Sequence, residues 1–167
     1  VESFFVDRTE VTVAAYRACA DAGQCTLSPH QPGCNATAKK PLLDHPMNCV
    51  SKHQAEQFCK AQGKRLPTES EWEFAARGTD GRIYPWGNEE AGEQLCWQGR
   101  AGADSKRTCA VGSFPQAASP FGTLDMAGNV AEWTSTAETE RGLSDVFLVR
   151  GGSYRLAGQV ERLETWN

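Results

Sequence analysis

Seven cysteines, Cys19, Cys25, Cys34, Cys49, Cys59, Cys96 and Cys109, fall within 167 residues and constrain this chain more than any other feature. None stands in the C-x-x-C spacing of zinc ribbons or thioredoxin-like sites, so disulfides formed in an oxidising, extracytoplasmic compartment are the reading the spacing favours. The odd number leaves at least one thiol unpaired or matched outside the chain. Staples are also what the rest of the sequence calls for. Its 16 Gly and 8 Pro are scattered along its length, which predicts many turns and little regular structure. From Gln24 to Asn48 no hydrophobic period is visible. That segment reads as a long ordered loop in need of cross-links, with Cys25 and Cys34 as the ends of one.

Regular structure is predicted where helix caps stand. Phe4 to Val11 reads as a strand entering a turn, and Thr12 caps a helix running to about Ala22, where Gly23 ends it in a left-handed conformation. Ser51 and Gln54 form a capping box, with Ala55, Phe58, Cys59 and Gln62 at helical spacing until Gly63. Thr68 and Glu71 repeat the pattern for a third, short helix with Trp72, Ala75 and Ala76 on one face and Gly78 at its end. Beyond Gly78 come turns and short extended pieces, followed by strands predicted over 145–149 and 152–156. No repeat or linker divides the sequence, so a single domain over 1–167 is expected.

Charge and hydropathy exclude two classes of partner. Lys and Arg number 17 against 21 acidic residues, a net charge of −4, and no basic run exists to neutralise a phosphate backbone, so nucleic acid is not expected as a partner. Runs such as Val146 to Val149 are far too short for a bilayer, so no membrane insertion by this chain is expected either.

The run from Gly63 to Gly78, GKRLPTESEWEFAARG, closely resembles the signature of the formylglycine-generating enzymes, the sulfatase-modifying factors. Further blocks follow the family's order: His45-Pro46 with Val50-Ser51, Tyr84 to Asn88, Val111 to Pro115, Leu124 to Trp133, and Val149 to Tyr154. Six ordered blocks over nearly the whole chain carry far more weight than one short motif. The resemblance implies an α+β, irregular, C-type-lectin-like fold with few helices, short antiparallel strands and much loop. It also implies that the chain lacks the family's first strand and its C-terminal arm.

The family's enzymes resemble one another in holding copper(I) between two cysteines shortly after Gly-Gly-Ser-Tyr and oxidising a substrate cysteine to formylglycine. Thiolates suit a soft monovalent ion. In this chain the two positions fall on Leu156 and Glu161, and no cysteine follows Cys109. Copper is therefore not expected. The histidines, His30, His45 and His53, lack the spacing of an iron site and are assigned to surface or loop roles, and Ser153 has no partner base to make it a nucleophile. No catalytic residue is assigned. A non-catalytic module for protein, peptide or glycan recognition, or a regulatory appendage, is the expected function. The alternative is a copper-dependent oxidase acting on a sulfatase cysteine, or another oxidoreductase on the same fold.

The resemblance further implies a calcium site, with Asp125 and Glu132 as carboxylate ligands and Gly128 and Val130 as carbonyl ligands, a hard-oxygen set suited to that ion. At the family's other calcium loop, the first side-chain position is Leu95. A Cys96–Cys109 disulfide is expected to hold that loop instead, closing a ring of about 14 residues and contributing on the order of 3 kcal/mol, with Asp104 as a weaker candidate ligand. The pairing of the remaining five cysteines stays open, with Cys59 the favoured free thiol. Trp72, Trp86 and Trp133 are assigned to the core, while Trp97 and Trp166 are less constrained.

Overall fold

Each of the three α-helices among the described residues begins just after a residue whose side chain can take the place of the missing first-turn carbonyl. The computed structural model describes residues 1–98, 107–137 and 147–155. Helix α1 spans Val13–Asp21, with the Thr12 hydroxyl accepting from Ala15 N at 3.1 Å. Helices α2, Lys52–Ala61, and α3, Glu69–Arg77, both open with a complete capping box, from Ser51 and Gln54 and from Thr68 and Glu71. Gly23, Gly63 and Gly78 follow the three helices with φ of 72°, 68° and 66°, a conformation glycine adopts without the Cβ clash.

The apolar faces of these helices are buried in separate clusters. Tyr16 of α1 stacks on Phe58 of α2 with centroids 5.4 Å apart, and Val13, Cys19 and Met47 surround them. Burying one such side chain contributes about 1.5 to 3 kcal/mol, so the α1–α2 pair is locked by a few large groups. Trp72, Ala75 and Ala76 of α3 pack on Met126, while Tyr84, Leu95 and Ala127 form a third cluster flanked by Trp86 and Trp97. Of the tryptophans assigned to the core, Trp72 is fully buried; Trp86 and Trp133 are half-buried, as is Trp97. Trp166 lies outside the described residues.

Strands are few, and not all stand where the sequence predicts them. Strand β1, Glu132–Ala137, pairs antiparallel with β2, Phe147–Arg150, in the register Glu132 to Arg150 and Trp133 to Val149, with an irregularity before Ala137 pairs with Phe147. β1 falls in the stretch the sequence reads only as turns and short extended pieces; its Thr-containing run forms a strand because Thr134 is buried and its hydroxyl donates to Leu148 O at 2.9 Å, a cross-strand contact no local pattern reveals. The strand predicted over 152–156 does not form across its described residues: Gly151 and Gly152 at φ of 87° and 68° turn the chain out of the sheet. The strand predicted over Phe4 to Val11 does not form: the segment bends at Arg8 and Thr9 and holds isolated contacts such as Leu124 N to Arg8 O. Among the described residues no helix is long and apolar enough to cross a membrane.

Three disulfides staple the irregular chain: Cys19–Cys25, Cys34–Cys49 and Cys96–Cys109. The long loop is thus pinned separately at each end, to the end of α1 and to the approach to α2, and not by a Cys25–Cys34 bond. Cys59 on α2 is the free thiol.

Candidate functional site

The loop Leu124 to Trp133 runs from the α3 cluster into β1 and carries the residues singled out for calcium. Asp125 is buried in a left-handed conformation, φ 59°, with Oδ2 accepting from Gly112 N at 2.6 Å. Burial pushes its carboxyl above the usual range. Glu132 opens β1 and accepts from the Trp72 indole at 3.0 Å. Burial, with some repulsion from Asp125, pushes it up to about 7. Gly128 turns the loop at φ 81°, and a Cβ there would stand 2.6 Å from Cys96 O, so glycine is required by both torsion and space.

A third carboxylate joins them that the sequence did not disclose. Glu10 accepts from Val130 N at 3.1 Å and from Asn129 Nδ2 at 2.7 Å, bridging 119 residues of chain. Burial first, then the charges of Glu132 and Asp125, raise its carboxyl well above its ordinary value. Within its own segment Glu10 carries no motif, so only tertiary folding brings it to the loop. Burial raises all three carboxyls, and the charge of Asp125 adds to it at Glu132 and at Glu10, which marks a region where negative charge is concentrated. Among the described residues, no hydrogen-bond donor reaches the carbonyl oxygens of Gly128 and Val130.

Asn129 ties this loop to its surroundings. It has no exposed surface; its N–H donates to Cys96 O at 2.9 Å, its Oδ1 accepts from Cys109 N at 3.0 Å, and its carbonyl accepts from Tyr154 N at 2.9 Å. Gly128 N also donates to Gly151 O at 2.8 Å, so the Gly151 to Tyr154 block is zipped along the loop. Ser153 and Tyr154 then face a cleft of about 930 Å³ whose wall also includes Phe58, Cys59, Trp133 and Glu132. Cys59 is its sole free thiol: the other six cysteines are in disulfides. Burial and the nearby Asp7 push the Cys59 thiol up.

The remaining candidates do not converge. His45 Nδ1 lies 2.8 Å from the Thr108 hydroxyl and His30 Nδ1 lies 2.5 Å from Thr37 O, while His53 is exposed on α2. Burial, foremost, lowers the pKa of His45. The disulfide Cys96–Cys109 stands beside Leu95, which is a core residue and not a ligand position. Leu156, Glu161 and Asp104 lie outside the described residues.

The helices, the small antiparallel sheet and the loop zipped to a Gly-Gly-Ser-Tyr block define an α+β domain of the formylglycine-generating type. Residues 1–166 match the sulfatase-modifying factor enzyme 1-like domain, and the chain belongs to that family. It is 36% identical over 132 residues to the inactive C-alpha-formylglycine-generating enzyme 2 of Bos taurus, covering 74% of this chain and 43% of that protein. It is 44% identical over 102 residues to the formylglycine-generating enzyme of Mycobacterium tuberculosis, covering 55% and 33%. The chain thus spans less than half the length of either relative. Among solved structures, CarF superposes with a TM-score of 0.66 at 26% identity, over 89% of this chain and 74% of that one.

Proposed function

We propose that this chain is a non-catalytic recognition module of the formylglycine-generating-enzyme family, a single domain with a C-type-lectin-like variant fold, acting in an oxidising extracytoplasmic compartment. The observation that carries the reading is the state of the cysteines. Copper(I) chemistry of the family's kind needs two thiolates, and six of the seven cysteines are consumed in disulfides, leaving one free thiol, Cys59. What remains is a cleft of about 930 Å³ with aromatic walls and a few polar groups, a volume suited to a short peptide or glycan. A protein, peptide or glycan is the partner proposed, with a regulatory role for the module as part of a larger assembly. The named inactive relative in Bos taurus agrees with a family in which the fold persists without the activity.

Calcium is the cofactor proposed for the loop, and the donor set fits it. Among the described residues no three Asp, Glu, His or Cys side chains converge to chelate an ion by themselves, so backbone oxygens are needed. The carbonyls of Gly128 and Val130 receive no hydrogen bond from the described residues, and Asp125 and Glu132 add carboxylates destabilised by burial. Mixed carbonyl and carboxylate ligation of that kind suits calcium. The ion's role there is structural, neutralising buried charge.

The test sets the protein, supplied with copper and oxygen, against a peptide carrying the sulfatase cysteine motif. The expected outcome is an unchanged peptide mass. A loss of about 18 Da, the conversion of cysteine to formylglycine, overturns the non-catalytic reading. The relative of that name in Mycobacterium tuberculosis makes this the alternative worth excluding first.

A further inference from the structure

Both halves of one disulfide are gripped by a single residue of the proposed cation loop. The Asn129 N–H donates to Cys96 O at 2.9 Å, Cys109 N donates to Asn129 Oδ1 at 3.0 Å, and Asn129 Nδ2 reaches Cys109 O at 3.4 Å. Gly128 is seated against the same half-cystine, with Cys96 O 2.6 Å from where a Cβ would lie. A peptide group is planar and trans, so the carbonyl of Gly128 and the N–H of Asn129 belong to one rigid plate and point in opposite directions. A cation drawing on the Gly128 carbonyl therefore holds the other edge of that plate against Cys96. The plate that follows, Asn129 C=O with Val130 N–H, is fixed by Tyr154 N and Glu10, and the second carbonyl ligand, Val130, comes directly after it. Asn129 is thus held on both sides with no exposed surface, leaving it little freedom to move independently of the Gly128 plate.

We propose that the Cys96–Cys109 disulfide and the calcium loop are thermodynamically coupled through Asn129, so that calcium shields this disulfide from reduction and its reduction releases calcium. The inference rests on the reading of Leu124 to Trp133 as a calcium loop. Reduction needs an external dithiol. Its thiolate attacks Sγ of Cys109, the more exposed partner, since Cys96 is 3% exposed. The S–S bond breaks with its electron pair passing to Cys96 Sγ, which takes a proton from water. The second thiol of the reductant then resolves the mixed disulfide and frees Cys109. Two electrons pass to the protein, and the dithiol leaves as its own disulfide. Cys109 is itself only partly exposed and its N–H and carbonyl are both held by Asn129, so attack and release of Cys96 require a local opening that pulls these backbones off Asn129, the same displacement that loosens the Gly128 plate. Linkage makes the effect reciprocal: the factor by which calcium protects the disulfide is the factor by which reduction weakens calcium.

The experiment is a timed exposure of the intact protein to dithiothreitol, with trapping of thiols by alkylation and peptide mass mapping, in excess calcium or in chelator. Calorimetry on the same preparation reports calcium binding. Calcium is expected to slow labelling of Cys96 and Cys109 by about fivefold or more, while Cys19 and Cys25, held at the far end of α1, are labelled at the same rate in both conditions. Protein selectively reduced and alkylated at Cys96 and Cys109 is expected to bind calcium more weakly by a similar factor. If calorimetry detects calcium but labelling of Cys96 and Cys109 is unchanged, or if all three disulfides are slowed equally, the coupling is wrong and the calcium reading stands. If calorimetry detects no calcium binding, the calcium reading fails and the coupling with it.

Discussion

Asn129 adopts a left-handed backbone, φ 50°, in full burial, and every polar atom it has is engaged with Cys96, Cys109, Glu10 or Tyr154. Truncation leaves the Cys109 N–H and the Glu10 carboxylate without that partner, and an unsatisfied buried group costs about 1 to 3 kcal/mol. Asn129→Ala is therefore expected to lower stability by about 3 kcal/mol, read as a shift of the urea midpoint; a change within error would mean that water replaces the amide. Glu71 offers a pH signature at the same scale. It takes two hydrogen bonds from Arg65, at 2.6 and 2.7 Å, and one from Thr68 N at 2.8 Å. Arg65, then Thr68, hold its carboxyl down to about 2. A carboxylate with a folded pKa below its unfolded value contributes fully above the unfolded value and loses that contribution as pH falls toward the folded one. Wild-type stability should therefore decline between about pH 5 and 2, and Glu71→Gln should flatten that part of the decline. Identical acid limbs for the two proteins would refute the assignment. Because Arg65 is largely exposed, the effect is expected to be modest.

The helices are the elements most directly written in the sequence. Thr12, Ser51 and Thr68 at the starts and Gly23, Gly63 and Gly78 after the ends are local signals, and the structure uses each of them. Removing the cap hydroxyl in Thr68→Ala should cost about 1 kcal/mol, measurable by chemical denaturation. The sheet and the loops are a different matter. β1 escaped the sequence reading because its stability comes from a partner strand and a buried Thr134, and the paired glycines at 151 and 152 end β2 by torsions that a generic strand pattern does not carry. Gly128 is the loop position with least tolerance. In Gly128→Ala, left-handed torsion combines with a Cβ placed 2.6 Å from a backbone oxygen, and a loss of about 3 kcal/mol or more, or failure to fold, is expected. Normal expression and an unchanged melting temperature would contradict that packing.

At the scale of the molecule, separate apolar clusters and three disulfides hold together a chain in which most residues are irregular. A cation in the Leu124 to Trp133 loop would bind the folded chain alone, and at a hundredfold excess over its dissociation constant such a ligand stabilises by about 2.7 kcal/mol. Melting in chelator is therefore expected to occur several degrees below melting in calcium. Equal midpoints, with no metal in elemental analysis, would remove calcium from this account. The sequence alone determined the family, the helices, the number of cysteines and the presence of Leu156 and Glu161 at the two copper positions, because each of these is carried by residue identity and local spacing. Only the tertiary structure decided which cysteines pair, how the long loop is pinned at two ends, and that Glu10 and Asn129 meet the loop from opposite ends of the chain. Those outcomes depend on contacts between residues up to 120 positions apart, and no local propensity encodes a contact of that range.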